Sequence, residues 1–268
     1  MSVTASESRR NPVAPRRGAG LLWHQIRYEQ LTFWRNPQSA FFTFVFPVLI
    51  IAIFGGLFGS AENSSFYYGG NPLQYYVSTI AGMSVLGSCY SQLAIVLATR
   101  RQNGILKRVR ATPLHAFGYF VGLLAHCILV SFVDVLLIVT VGRFYGLGLP
   151  AFSQWLPLAV SLTLGATAYC ALGIAVASAI RNADAAPAVV QVILFPLVII
   201  SGTYVPIHGA IGTIAGALPV KPLNDALLTA FTSSGAGFQL HDYATLLAWG
   251  AASSAVAVRR FRWDPRPE

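Results

Sequence analysis

Five cations fall close together at Arg100, Arg101, Lys107, Arg108 and Arg110, in a run that ends Val-Arg-Ala-Thr-Pro at Pro113. A block this polar can grip an acidic or phosphorylated partner, but it cannot lie in hydrocarbon. Other polar residues sit inside apolar runs. Ser84, Ser88, Ser91 and Gln92 share a helical arc of about 100°, and Thr99 continues it. Such a face either walls a substrate path or makes hydrogen bonds between packed helices. His126 and Asp134 are ionisable groups at depth, open to proton transfer or to bonding with a neighbouring helix. Eight helical residues separate them by roughly 12 Å along the axis, too far for a direct pair.

Other chemistry is excluded. The sequence contains no G-x-x-x-x-G-K-[ST], no H-E-x-x-H, no Ser/His/Asp set and no positioned carboxylate pair. Nine acids in the whole chain leave little for general acid–base work. Cys89, Cys127 and Cys170 are widely spaced, without a C-x-x-C or a metal-ligand spacing, and read as small buried residues. The expectation is no catalytic residue, no metal and no cofactor bound by this chain.

The elements that hold these residues follow from composition. Of 268 residues, 55% are hydrophobic and 10% are charged, against about 25% charged in soluble domains. Several apolar runs approach the roughly 20 residues that span a bilayer. The fold class is all-α, a polytopic membrane protein. The net charge of +9 does not signal nucleic acid, because the cations flank apolar runs instead of forming a continuous basic face.

Taken in order, residues 1–19 are polar and Arg-rich and read as a disordered cytoplasmic tail, not a signal peptide. Residues 20–36 read as an amphipathic interfacial helix. Leu22, Trp23, Ile26, Phe33 and Trp34 share one arc, while His24, Gln25, Arg27, Glu29, Thr32 and Arg35 take the other side. Residues 37–258 form a six-helix transmembrane domain, with spans expected near 39–59, 73–99, 114–141, 154–180, 185–204 and 240–258. A second cytoplasmic tail covers 259–268. With six spans, every Lys and Arg except Arg143 and Lys221 falls on the cytoplasmic side with both termini. Five or seven spans would place the C-terminal Arg cluster outside. Pro196, Ser201-Gly202-Thr203-Tyr204-Val205-Pro206 and Leu218-Pro219-Val220-Lys221-Pro222-Leu223 break the pattern between spans five and six. There, 207–228 reads as re-entrant or outer-surface helices.

Three stretches now carry a resemblance. They are Trp34-Arg35-Asn36-Pro37 before span one, the run from Arg101 to Pro113, and Ser201-Gly-Thr-Tyr-Val-Pro206 with Leu218-Pro219 and Pro222-Leu223. Together they resemble the permease subunits of ABC-2-type exporters, especially the daunorubicin-resistance-like drug-export branch. The middle run looks like that family's Arg-Glu-x-Gly-Thr-Leu-x-Arg-Leu-x-x-x-Pro, with Gln102 in place of Glu.

The resemblance implies two permease subunits, as homodimer or heterodimer, above two ATPase subunits that bind ATP and Mg. It implies a plasma-membrane location and export of amphiphilic drugs or lipids by alternating access. Arg101, Gln102, Gly104, Leu106, Lys107, Arg108, Arg110 and Pro113 become the expected ATPase-coupling residues. Trp23, Arg27, Trp34 and Arg35 mark the interfacial helix. Ser84, Ser88, Gln92 and Pro196 are the expected substrate path. Ser201, Gly202, Tyr204, Pro206, Pro219 and Pro222 are the expected outer gate. Two rival readings are a proton-coupled transporter using Asp134 and His126, and a glycan exporter on the same scaffold.

Overall fold

The computed structural model describes residues 18–60, 67, 71–112, 116–207, 209–231 and 239–261. Both expected tails lie wholly or largely outside these residues, and so does Pro113. All regular structure among the described residues is helical.

Helix α1 runs over Gly18–Trp34 and α2 over Pro37–Phe58. Between them the Asn36 Oδ1 accepts the Ser39 amide at 3.3 Å, and Pro37 opens the first turn of α2. Helix α3, Pro72–Gln102, starts with a capping box. Asn71 Oδ1 accepts the Leu73 amide at 2.8 Å, and Gln74 Oε1 accepts the Asn71 amide at 3.2 Å. At 1.5 Å per residue, its 31 residues extend about 46 Å. That exceeds a hydrocarbon core of about 30 Å.

Gly104 separates α3 from the short α4, Ile105–Arg110. Its φ of 67° lies in the left-handed region, which a side-chain-bearing residue enters only at a cost. The remaining helices are α5 (Ala116–Phe144), α6 (Trp155–Ala179), α7 (Ala186–Ile200), α8 (Gly209–Gly216), α9 (Val220–Phe231) and α10 (Leu240–Arg260).

The core is built around α3 and α6. Helix α3 packs against α2, α5, α6, α7 and α9, and α6 packs most extensively against α10. Gly173 of α6 lets the two central helices meet backbone to backbone: a Cβ there would lie 2.9 Å from the Tyr90 carbonyl oxygen. Small residues at helix contacts provide this close approach in membrane proteins. In contrast, 22% of the most apolar 18-residue stretch of α2 is buried, against 61% of that of α3. Phe42, Phe46, Leu49, Ile53 and Leu57 of α2 face outward.

Among the described residues, four helices are long and apolar enough to cross a membrane: Pro37–Phe58, Pro72–Gln102, Phe117–Phe144 and Phe152–Ala179. These coincide with the first four expected spans. The expected fifth is the apolar 15-residue α7, about 22 Å long, which ends where the Ser201–Pro206 stretch leaves helical geometry. The expected sixth is the 21-residue α10, whose polar ends include Asp242, Arg259 and Arg260. The segment expected to be re-entrant is a pair of short helices, α8 and α9, with Pro219 at the turn between them.

Candidate coupling and transport site

The basic turn divides into an inward and an outward set. Arg101 is 3% exposed. Its Nη1 donates to the Ala177 carbonyl at 3.0 Å and its Nη2 to the Ile180 carbonyl, both at the C-terminal end of α6. A cation there complements the unpaired carbonyls and the negative end of the helix dipole. Gln102 Oε1 accepts the Ala183 amide in the α6–α7 turn. The amide oxygen does what a Glu oxygen would do at this contact, without the charge. Leu106 is fully buried and anchors α4 to the core. Lys107, Arg108 and Arg110 are exposed. Of the residues expected to couple, Arg101 and Leu106 therefore position the turn, and the three α4 cations present a surface.

The face of α1 differs from the sequence expectation. Glu29 falls on the polar side of the helical wheel, yet it is 4% exposed. Arg100 grips it with both terminal nitrogens, Nη1 to Oε1 and Nη2 to Oε2, each at 2.7 Å. Arg100 Nη1 also donates to the Tyr119 hydroxyl at 2.9 Å, and Gln25 Nε2 donates to Glu29 Oε1 at 2.8 Å. A bidentate carboxylate–guanidinium pair fixes orientation as well as charge. Phe33 wedges beside it, edge-on to Phe44 of α2 and His126 of α5, with ring centroids 5.8 and 5.5 Å apart. Trp23 and Trp34, read as part of the apolar arc, are 68% and 56% exposed, and Arg27 and Arg35 are also exposed. A wheel cannot show this rotation, because the partner of Glu29 lies 71 residues away. The available signal was an acid in an acid-poor chain, at the edge of the apolar arc.

Two adjoining hollows of about 500 and 290 Å³ run between α1, α2, α3 and α5. Ser84, Ser88, Ser91 and Gln92 line the larger one together with Phe42, Phe46 and Pro47. Both hollows share Asn36, Ser39, Ser88 and Gln92. Phe41–Val45 of α2 and Gly87–Gln92 of α3 are π-helical turns, and both contribute to the larger wall. Such widened turns are frequent at functional sites, and nothing in the sequence pattern announced them. Ser88 bonds back to its own helix, donating to the Ser84 and Val85 carbonyls at 3.1 and 3.2 Å. Pro196 is not brought to this groove. It is exposed within α7 and lines neither hollow.

At the far end of α3, hydrogen bonds hold Ser201, Gly202, Tyr204 and Pro219. The Tyr75 hydroxyl donates to the Gly202 carbonyl, and the Tyr76 hydroxyl to the Tyr204 carbonyl at 3.4 Å. The Ser201 and Thr203 hydroxyls lie 2.8 Å apart, and Asn224 Nδ2 of α9 reaches Thr203 at 3.4 Å. The Tyr169 hydroxyl of α6 donates to the Pro219 carbonyl at 3.3 Å. Pro206, Pro219 and Pro222 are buried, while Tyr204 is 53% exposed. One helix thus carries the basic turn at one end, the groove in its middle and the Ser201–Pro206 loop at the other.

With this arrangement in view, the comparison with known families is decisive: residues 21–232 match the ABC-2 type transporter family. The chain belongs to that family. No curated protein matches the chain. Membership makes it a multi-pass membrane permease component of an ABC transporter, not itself the ATPase, and members of this family generally work with an ABC ATPase subunit.

Asp134, His126 and the cysteines complete the polar interior of the permease. Asp134 is 1% exposed, with Oδ1 unpartnered, and His126 has an unpartnered Nδ1. They do not meet. His126 faces the smaller hollow, whereas Asp134 lines neither. The cysteines, widely spaced in sequence, come together in the core. No residue pattern along the chain could have signalled that.

Proposed function

We propose that this permease is the membrane-spanning subunit of an ATP-driven exporter that moves amphiphilic drugs or lipids out of the cell. It crosses the plasma membrane six times with both termini cytoplasmic, and it pairs with a second permease as homodimer or heterodimer. Two ATPase subunits bind the ATP and Mg. The reading places α7 and α10 as the fifth and sixth crossings, with α8 and α9 between them on the outer side. Helix α1 then lies along the inner membrane surface, where exposed Trp23 and Trp34 suit the headgroup layer.

The observation that carries the reading is the attachment of α3 at both ends. Arg100 and Arg101 bind its basic end to α1 and to the end of α6. Tyr75 and Tyr76 bind its other end to the Ser201–Pro206 loop. A push on α4 is then delivered to a long, braced helix, and packed elements respond to such a push by rigid-body movement. Tilting α3 changes the groove lined by Ser84, Ser88 and Gln92 and, at its far end, the outer loop. The groove walls mix hydroxyl and amide groups with Phe42 and Phe46, a lining suited to an amphiphile.

Reversing the three exposed charges, with Lys107, Arg108 and Arg110 all changed to Glu, tests this. Export is expected to fall at least about tenfold, because like charges facing an acidic partner surface cost several kcal/mol. Melting temperature should stay unchanged, since these side chains are exposed. Unaltered export from the triple variant would refute the coupling role of α4.

A further inference from the structure

Each cysteine sits on a different helix: Cys89 in the π-helical turn of α3, Cys127 in α5 and Cys170 in α6. Their Sγ atoms nevertheless all lie within 4.8 Å of one another, and the three thiols are free and buried. These are all the cysteines the chain has. Packing alone gives no reason to gather them at one point, since Ala or Ser would fill comparable volume.

We propose that Cys89, Cys127 and Cys170 form a three-sulfur site for a soft monovalent cation, Cu(I) in the cell. Three sulfurs placed about 2.3 Å from a common centre stand about 4 Å apart. The observed spacing reaches that value through small side-chain rotations. Zinc would require a fourth ligand. Among the described residues, no His or carboxylate joins the group. Soft sulfur ligands favour Cu(I), which a three-sulfur set satisfies. Hydroxyls support the set from outside: Ser131 Oγ lies 3.2 Å and Ser88 Oγ 3.7 Å from Cys89 Sγ. Such neighbours orient a sulfur ligand and stabilise its thiolate.

A route in also exists. The smaller hollow is lined by Cys127 and by His126, whose Nδ1 is unpartnered. An imidazole nitrogen there can take the ion before it passes to the sulfurs. Binding involves no electron transfer. Cu(I) displaces two thiol protons, which leave through the hollow, and the third sulfur binds as a neutral thiol. The site then carries a single negative charge, which limits the cost of burying it. The bound ion ties the π-helical turn of α3 to α5 and α6, and so braces the middle of the helix that the transport cycle tilts.

The test uses the purified full chain in detergent, under reducing and oxygen-free conditions. Cu(I) is titrated against bathocuproine disulfonate as competing chelator. Wild type is expected to retain one Cu(I) per chain. Cys89→Ser, Cys127→Ser and Cys170→Ser should each weaken retention at least about tenfold, the range in which even outer neighbours of a metal matter. Size-exclusion profiles without metal check that each variant folds. X-ray absorption of the copper-loaded wild type gives a reading that depends on no variant, with three sulfur neighbours expected. Release of all copper to the chelator, equal retention by the triple Ser variant, or a nitrogen and oxygen shell around the metal would each overturn the proposal.

Discussion

Glu29→Ala is expected to destabilise the permease by about 3–5 kcal/mol and to abolish transport, because it leaves the Arg100 guanidinium buried without its counter-charge. Both hydrogen bonds of the pair are 2.7 Å long, and the side chains are only 12% and 4% exposed. An exposed surface pair would contribute less than about 1 kcal/mol, so burial decides the size of the effect. The loss is structural first: α1 would detach from α3 and α5. Glu29→Gln keeps an acceptor for Arg100 but removes the charge, and should fall between wild type and Glu29→Ala. The exchange Glu29→Arg with Arg100→Glu should recover part of the stability lost by either change alone. Melting temperatures in detergent of wild type, Glu29→Arg, Arg100→Glu and the exchange form a double-mutant cycle whose coupling reports the pair together with the repulsion each single change introduces. Additive single effects would show that α1 is held by something else.

Gly173→Val should be damaging within the core. An added Cβ would meet the Tyr90 carbonyl oxygen at 2.9 Å, the Cys89 carbonyl oxygen at 3.1 Å and Tyr90 Cα at 3.3 Å. All three are backbone atoms, so no side chain can turn aside and α6 must move away from α3. Overpacking of this kind costs about 1–3 kcal/mol or more. Gly56→Ala is the matched control. A Cβ at Gly56 meets nothing within 4 Å, and Ala in a helix gains roughly 0.5–1 kcal/mol over Gly. The first variant should melt earlier and the second no earlier than wild type, as read by thermal unfolding in detergent. Equal melting of Gly173→Val and wild type would contradict the close contact of the two central helices.

What the sequence reveals here is local. Asn36-Pro37 marks the boundary between α1 and α2, because the cap and its first turn lie within a few residues. Gly104 marks the bend before α4, and Pro219 marks the break between α8 and α9, for the same reason. What it conceals depends on partners far along the chain. Glu29 reads as solvent-facing until Arg100 is placed beside it, and Arg101 reads as one more surface cation until the end of α6 arrives. The polar face Ser84–Gln92 is visible as an arc, but its π-helical turn is not, since the wheel assumes uniform α geometry. Cys89, Cys127 and Cys170 are 38 and 43 residues apart and meet only through the packing of α3, α5 and α6. Pro196 lines neither hollow, for a different reason. Proline marks a weak point in a helix but carries no information on which way that face points.

The central claim is that the exposed face of α4 receives the push from the ATPase. Cross-linking from Arg108→Cys, in membranes containing both subunits, tests it most directly. The three native cysteines are buried, so a membrane-impermeant thiol cross-linker applied from the cytoplasmic side reports the introduced one. Capture of the ATPase subunit is predicted from position 108, with a yield that changes when ATP is added. Tyr204→Cys, exposed at the opposite end of α3, should capture none. No capture from position 108, or equal capture from both positions, would contradict the account.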